Sequence, residues 1–204
     1  MLSRSRLSIF LVAIALLLAA LAASIVFLWG AYYAHWEGPF AARVAAASPI
    51  PAARVGARSI RLSRYLEDIH SVERFLSSEE ARAGNLARPL SDEDRESTLE
   101  RLIQEEALYE LAGQRNITTS DDQKRAVLDE LGVTSTSTEA FLAFINQNYG
   151  WDMAAFESHV VQPLLLTRLL TQSYAQDHGG DLTALETYLM ERIQRDDVVR
   201  YIKF

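Results

Sequence analysis

An uncharged stretch of 23 residues, from Leu7 to Trp29, most constrains what this chain can fold into. Ser8 and Ser24 are the only polar residues within it. A helix rising about 1.5 Å per residue would make this stretch roughly 34 Å long, enough to cross a hydrocarbon core about 30 Å thick. Charge and helical periodicity begin only after it. We therefore predict one transmembrane helix that carries one domain.

The charges that flank this stretch predict its orientation. Arg4 and Arg6 precede it without any acidic residue, whereas Glu37 and Arg43 are the only charged residues in the 14 positions that follow. An excess of arginine and lysine marks the cytoplasmic side of a membrane helix. We predict a cytoplasmic N-terminus over residues 1–6, a transmembrane anchor over residues 7–29, and an extracytoplasmic domain.

A cleaved signal peptide is the alternative interpretation of this start. The basic N-terminus and the small residues at 20–22 would permit cleavage. The apolar core of a signal peptide, however, runs about 7–15 residues, and this stretch is longer. Trp29, Tyr32, Tyr33 and Trp36 follow it as an aromatic belt of the kind found at membrane interfaces. These features favour an uncleaved anchor.

Charge and cysteine content exclude several classes of function. Residues 30–204 hold 18 of the 20 basic residues and all 27 acidic ones, a net charge of −9. An acidic exterior argues against nucleic acid as a partner, because phosphates attract basic surfaces. The chain has no cysteine, which excludes disulfides, thiol catalysis and thiolate metal ligands.

Prolines and turn residues organise the start of the domain. Residues 30–52 are rich in alanine and contain Pro39, Pro49 and Pro51, so we predict a linker with extended backbone. Residues 53–62 then have the apolar pattern of a short strand pair, with a tight turn at Gly56 and Ala57.

Amphipathic helices dominate the chain after residue 62. Their predicted N-terminal caps are Ser63, Ser91, Ser120, Thr136, Asp152 and Thr183. Pro163 lies inside the helix that Asp152 begins and should kink it.

A strand from Val198 to Phe204 is predicted to close the domain. A lone strand is not stable, so we expect it to pair with the strand region at residues 53–62. The predicted fold class is mainly α: a transmembrane helix, then a helical domain over residues 53–204 that a small β pairing of its terminal strands closes.

Sequence motifs for catalysis and nucleotide binding are absent from the chain. It contains no P-loop, no G-x-G-x-x-G, no H-E-x-x-H and no G-x-S-x-G. Lys124 and Lys203 are the only lysines, and neither completes an S-x-x-K nucleophile. We therefore expect no catalytic residues, no nucleotide and no cofactor.

Histidines give no clear metal site. His35, His70 and His159 are scattered along the chain, and only Asp177 with His178 brings two potential ligands together. A loop at the end of a helix explains that pair equally well, so we expect no metal.

The segment from Phe141 to Phe156 is richer in large apolar side chains than a core requires. Its candidate substrate-binding residues are Phe141, Phe144, Tyr149, Trp151, Met153 and Phe156. One interpretation is ordinary core with a helix-joining corner at residues 149–151. The other is an apolar cradle for hydrophobic segments of client chains, since aromatic and methionine side chains bury much area and adapt in shape.

The order of these features resembles a known family. Val55, Gly56, Ile60 and Tyr65 approximate its opening V-x-G-x-x-I-x-x-x-x-Y pattern, and residues 99–123, LERLIQEEALYELAGQRNITTSDDQ, are similar to its first helices. A Tyr-Gly-Trp corner and a long leucine-rich helix follow. Residues 53–204 thus resemble the N-terminal domain of SurA-type chaperones, which PpiD-like and PrsA-like membrane-anchored foldases share.

The resemblance implies client binding without catalysis. In the foldases, a parvulin-type prolyl isomerase domain is inserted between the long helix and the closing helix and strand. Here only a short loop around residues 176–181 stands at that point. The resemblance also implies that the closing strand pairs with the opening one.

Three hypotheses about function follow. The first is a membrane-anchored, ATP-independent holdase for unfolded or exported polypeptides outside the cytoplasm. The second is a non-catalytic structural adaptor that binds one specific membrane or envelope protein. The third is a prolyl isomerase with residual activity.

Overall fold

Helices make up most of the protein, and three short strands form one sheet. The computed structural model describes residues 4–133 and 138–204, with side chains described from residue 12 onwards. The helices are α1 (Arg4–Tyr33), α2 (Pro39–Ala47), α3 (Leu62–Leu76), α4 (Glu79–Ala83), α5 (Asp92–Gln114), α6 (Asp121–Glu130), α7 (Thr138–Tyr149), α8 (Met153–Phe156), α9 (Gln162–Asp177) and α10 (Ala184–Arg192). The strands are β1 (Pro51–Val55), β2 (Arg58–Arg61) and β3 (Val198–Arg200).

The sheet confirms the predicted β pairing between the two ends of the domain. Its order is β2-β1-β3, and both pairings are antiparallel. Ala53 stands opposite Ile60 of β2 and opposite Arg200 of β3. Gly56 has a φ of +57°, a conformation that glycine adopts without strain, in the turn that joins β1 to β2.

The closing strand is shorter than predicted. It ends at Arg200 because the chain then leaves the sheet and crosses to α1. The backbone N–H of Lys203 donates to the carbonyl oxygen of Tyr32 at 2.9 Å, and the side chain of Ile202 is buried in the main core.

α1 is one continuous helix that begins before the predicted anchor and ends after it. Its segment Val12–Tyr33 is long and apolar enough to cross a membrane. Its last turns also belong to the domain, because Phe27 and Ala31 are buried in the same core as residues of β1, α3 and α5. The predicted fold class, mainly helical with an N-terminal apolar helix and a small closing sheet, is confirmed.

The extended backbone predicted for residues 30–52 is wrong in its central part, where α2 forms. Pro39 lies in the first turn of α2, where a missing N–H costs nothing because that N–H has no partner within a helix. Ala41 and Ala45 are buried on one face of α2, which packs against α3. Alanine is the strongest helix former, so local preference and burial of this face both favour α2.

Several predicted helix caps are confirmed. The hydroxyl groups of Ser91 and Ser120 each accept a hydrogen bond from the backbone three residues later, and both sites form complete capping boxes. The carboxylate of Asp152 accepts a hydrogen bond from the N–H of Ala155. The predicted box that begins at Thr136 lies mostly outside the described residues.

Two predicted caps are wrong. α3 begins two residues earlier than expected, so Arg61 rather than Ser63 occupies the N-cap position. Thr183 precedes α10 but makes no capping hydrogen bond. Its backbone N–H and its hydroxyl both donate to Asp181 Oδ1 at 2.8 Å, so the N–H that a capping box would pair with the side chain of Glu186 already has a partner.

The long helix predicted from Asp152 is present as an unbroken helical run that contains a π-helical turn. This turn covers Glu157–Val161 and joins α8 to α9, and Pro163 lies in the first turn of α9. A π-helical turn inserts extra backbone into a helix and re-aims its side chains. Here it contains His159, whose side chain is almost completely buried.

Candidate functional site

The six predicted binding residues do not form one surface. Phe156 is buried, and Phe141 and Met153 pack against the same core as Phe156. Tyr149 and Trp151 line a cleft described below. Phe144 is 43% exposed to solvent.

The core part of this segment joins α6, α7 and α9. The rings of Phe141 and Phe156 meet edge to face, with centroids 4.9 Å apart. They pack with buried Val127, Ile145 and Leu165 in one apolar cluster. The structure therefore favours the interpretation of these two phenylalanines as ordinary core residues.

The remaining aromatic residues form the wall of a cleft. We call it the aromatic cleft; its volume is about 270 Å³, and it is lined by Asp68, Ser71, Val72, Phe75, Arg101, Tyr149, Trp151 and His159. A cavity of this size could accept one or two side chains of a bound polypeptide. In the described part of the chain, this cleft combines stacked aromatic rings with a buried charged group.

Four rings stack along this wall in the order Phe75, Tyr149, Trp151 and His159. The successive centroid distances are 5.3, 4.8 and 4.7 Å. The indole Nε1 of Trp151 also donates to the hydroxyl of Ser71 at 2.8 Å. Stacking and this hydrogen bond fix the orientation of the rings before any ligand arrives.

Three local features of the chain place these rings together. On α3, Asp68, Ser71, Val72 and Phe75 recur at helical spacing, so they share one face. Gly150 has a φ of +78° and turns the chain sharply between Tyr149 and Trp151. The π-helical turn then brings His159 beneath Trp151.

A charged cluster lies at the base of the aromatic cleft. Asp68 is its buried centre, and the guanidinium of Arg101 contacts its carboxylate. Nδ1 of His159 is 3.1 Å from Asp68 Oδ1, and Arg64 Nε is 3.7 Å from the same oxygen. Glu105 completes the cluster, with Oε2 3.3 Å from Arg101 Nη1.

His159 lies between two charged groups at the base of the cleft. Its Nε2 lies 3.1 Å from Nη1 of Arg64. Its Nδ1 faces the carboxylate of Asp68. The imidazole therefore bridges Arg64 and Asp68.

Burial and charge act in opposite directions on the two carboxylates. Burial alone would raise the pKa of Asp68, but His159, Arg101 and Arg64 together outweigh it and hold that pKa below its usual value. Burial raises the pKa of Glu105 above its usual value, and the two arginines offset this only in part.

This cluster does not have the arrangement of a Ser-His-Asp catalytic site. In such a site the histidine faces a nucleophilic hydroxyl, whereas Nε2 of His159 faces a guanidinium. The nearby hydroxyl of Ser71 donates to the carbonyl of Glu67 and accepts from Trp151. The geometry is suited to holding the cleft in one shape rather than to activating a nucleophile.

The Asp177-His178 pair has other partners. Asp177 Oδ2 is 2.7 Å from Arg115 Nη1, while His178 Nδ1 is 2.8 Å from the carbonyl oxygen of Tyr174. Within residues 4–133 and 138–204, no group of three or more histidine, aspartate or glutamate residues is placed to hold a metal ion.

Comparison with protein families gives one match. A model of the SurA-like N-terminal domain fits residues 1–170, a range that includes α1 and most of α9. The chain belongs to the SurA-like N-terminal domain family. Searches among curated proteins and among solved structures find no match.

Membership of the SurA-like family suggests a chaperone-like or folding-related module rather than an enzyme. The predicted resemblance is therefore confirmed. In this SurA-like chain, α9 and α10 are joined by the short loop at residues 178–183, and the described residues contain no parvulin domain.

Of the eight residues that line the aromatic cleft, the sequence predicted only Tyr149 and Trp151 as binding residues. Phe75, Arg101 and Asp68 lie on helices far along the chain from Trp151, and the sequence shows His159 only as a scattered histidine. The helical spacing of Asp68 and Phe75 on α3 is present in the sequence, but nothing in the sequence shows that Trp151 packs against that face.

Proposed function

We propose that this SurA-like protein is a membrane-anchored, ATP-independent chaperone that binds unfolded or exported polypeptides outside the cytoplasm. The observation that carries the proposal is an open, preformed aromatic cleft in a domain of this family. Preformed stacking lowers the entropic cost of binding, because the rings are already ordered.

The lining of the cleft matches the chemistry of an unfolded segment. Phe75 and Tyr149 are only half-buried, and both line the opening. Such rings bury large apolar area when a side chain packs on them. The guanidinium of Arg101, 48% exposed beside them, can donate to a backbone carbonyl of the same segment.

The anchor supports the location that we propose. α1 carries arginines at its N-terminal end and aromatic residues at its other end, an arrangement that keeps the N-terminus in the cytoplasm and the domain outside. The predicted boundaries, with an anchor over residues 7–29 and a domain over residues 53–204, remain part of the proposal.

The test is suppression of client aggregation by the full-length chain in lipid nanodiscs. A chemically unfolded client would be diluted into the sample and followed by light scattering, with empty nanodiscs as the baseline. We expect the wild-type chain to suppress aggregation. Phe75→Ala and Tyr149→Ala should each weaken apparent client affinity about tenfold, the effect of losing part of a buried aromatic contact.

Phe144→Ala is the matched control, since Phe144 is an exposed aromatic residue of α7 outside the cleft lining. Each variant would first be checked for wild-type helicity by circular dichroism. Absence of suppression by the wild-type chain would contradict the proposal. Suppression that Phe144→Ala weakens and the two cleft variants do not would move the binding site to the outer face of α7.

The structural adaptor is the second candidate, and one observation favours it. Leu182 and Met190 are 69% and 53% exposed beside a groove of mixed polarity between α9 and α10. A specific protein partner would cover such residues. Crosslinking in cells should then yield one stoichiometric partner, lost in Leu182→Asp, whereas a holdase should yield many clients.

Prolyl isomerase activity is the third candidate and has no supporting contact in the described site. A proline-limited refolding assay tests it, and we expect no acceleration by the full-length chain.

A further inference from the structure

A second apolar groove lies where α1 meets α2. It has a volume of about 410 Å³ and is lined by Ala23, Ser24, Phe27 and Leu28 of α1 and by four residues after the chain reverses. Those four are Phe40, Val44, Ser48 and Ile50, so no charged residue lines the groove.

The position of this groove along α1 indicates what can enter it. Its α1 residues all belong to the uncharged stretch, and Ala23 precedes Trp29 by six residues, which is about 9 Å of helix. In a bilayer, the groove would therefore open among the outer parts of the acyl chains. An aqueous polypeptide has little access to that depth, whereas a lipid surrounds it.

The chain reversal after α1 directs α2 back towards the membrane. His35 adopts a left-handed φ of +47°, and the indole of Trp36 packs directly on Gly30. Phe40 then reaches Phe27, with ring centroids 6.3 Å apart. Phe27 lies six residues, about 9 Å, before the end of α1.

The outward face of α2 has the composition of an interfacial helix. Phe40, Arg43 and Ala47 are exposed and share this face, while Val44 beside them is partly buried against the main core. Phe40 is 68% exposed in the isolated chain, an unusual position for a phenylalanine in water. Amphipathic helices bury such residues about 5–10 Å deep at the boundary of headgroups and acyl chains, which matches the depth of Phe27.

We propose that the groove between α1 and α2 binds one acyl chain of a phospholipid, with Arg43 at the headgroup phosphate, and holds the folded domain against the bilayer. Arg43 is exposed, and the ion pairs found among the described residues do not include it. The proposal rests on the transmembrane placement of α1 that the proposed function assumes, but not on client binding.

The first experiment measures depth with spin labels. The chain has no cysteine, so single substitutions at Phe40, Leu21 and Leu182 each give one labelling site. Full-length protein would be reconstituted in vesicles of phosphatidylcholine and phosphatidylglycerol, and collisions with oxygen and with a water-soluble nickel chelate compared. We expect Phe40→Cys to resemble Leu21→Cys, with oxygen favoured, and Leu182→Cys to favour the nickel chelate.

That experiment separates failure of the membrane anchor from failure of the groove proposal. A Leu21→Cys label open to the nickel chelate would show that α1 does not span the bilayer, which overturns the anchor and this proposal together. A Leu21→Cys label in the bilayer with a Phe40→Cys label in water would overturn the groove proposal alone.

The second experiment identifies the occupant. A phospholipid with a photoactivatable diazirine in its acyl chain would be crosslinked to the wild-type chain and the adducts mapped by mass spectrometry. We expect adducts on residues 38–50 as well as on residues 12–22. Val44→Trp, which fills the groove, should lower the adducts on residues 38–50 about tenfold, a loss equal to displacing a few buried methylene groups.

Adducts confined to residues 12–22 would overturn the proposal, because that part of α1 contacts lipid in any membrane helix. Equal adducts on residues 38–50 in the wild-type chain and in Val44→Trp would also overturn it. A benzophenone placed at Phe40 that couples to another polypeptide rather than to lipid would show that a protein segment occupies the groove instead.

Discussion

Nδ1 of His159 lies 3.1 Å from Oδ1 of Asp68, and both side chains are buried. Nε2 of the same ring lies 3.1 Å from Nη1 of Arg64, so the imidazole has a carboxylate on one side and a guanidinium on the other. This contact joins the π-helical turn before α9 to the middle of α3 and fixes the back of the aromatic cleft.

Replacing Asp68 by asparagine should destabilise the protein. The change leaves the guanidinium groups of Arg64 and Arg101 beside a neutral amide, and because both groups remain partly hydrated we expect a loss of about 1–3 kcal/mol, less than for a fully buried ion pair. Urea unfolding of the full-length chain, followed by circular dichroism, measures this loss. Asp122→Asn is the control, because its pair with Arg125 is exposed and should contribute little.

The stabilisation by Asp68 should also depend on pH. Its pKa is lower in the folded state than its ordinary value of 3.8, so the unfolded chain binds the proton more tightly. The stabilisation by ionised Asp68 is complete above pH 3.8. It is lost as the pH falls through the lower pKa of the folded state. The stability difference between wild type and Asp68→Asn should therefore shrink in acid. A difference that grew in acid would contradict the assigned charge.

Glu105→Gln should behave in the opposite way. Burial raises the pKa of Glu105 in the folded state above its ordinary value of 4.5, so the fold favours the protonated form. The stabilisation by protonated Glu105 is present below pH 4.5. It is lost as the pH rises through the pKa of the folded state. At neutral pH we expect Glu105→Gln to cost far less than Asp68→Asn, by the same urea measurement. Equal losses of unfolding free energy in Glu105→Gln and Asp68→Asn would show that both carboxylates must be ionised.

Gly150→Ala should destabilise the corner that sets the aromatic cleft. The φ of +78° is strained for any residue with a Cβ, at a cost of about 1–2 kcal/mol, and the added Cβ would lie 3.0 Å from Nη1 of Arg74. Gly113→Ala is the matched control. Gly113 lies within α5 with nothing near its Cβ position, so alanine should stabilise there by up to about 1 kcal/mol. Thermal unfolding of both variants shows whether each substitution lowers or raises the stability of the protein.

Removal of residues 1–36 should cost more stability than removal of residues 1–23. The longer deletion removes buried Phe27 and Ala31 together with Tyr32, whose ring stacks on Tyr201 and whose hydroxyl donates to the carbonyl of Pro51. Loss of one buried phenylalanine and these hydrogen bonds corresponds to about 3–5 kcal/mol. Urea midpoints of the two truncated chains in the same detergent test this. Equal midpoints would mean that the domain folds independently of the end of α1.

Features governed by neighbouring residues were predictable from the sequence. Ser91 and Ser120 cap their helices because the hydroxyl and the N–H it accepts from are three residues apart. The corner at Gly150 follows from the conformational freedom of glycine in the same way. The pairing of β1 with β3 was also predictable, since a mainly helical domain offered each strand only one partner region.

Features that depend on distant residues were not predictable. The local sequence after Pro39 permits both an extended linker and an alanine-rich helix, and burial of Ala41 and Ala45 in the core favours the helix. The aromatic cleft requires His159 to meet Asp68 on another helix, a contact that no spacing in the sequence encodes.

The position of β1 at the centre of the sheet has a consequence for synthesis of the chain. β1 ends at Val55, whereas β3 begins only at Val198, about 140 residues later. At a translation rate of about 5–20 residues per second, β1 waits roughly 7–30 s for its second neighbour. During that time one edge of β1 has no strand beside it, so the nascent chain is open to wrong partners until its closing strand has been made.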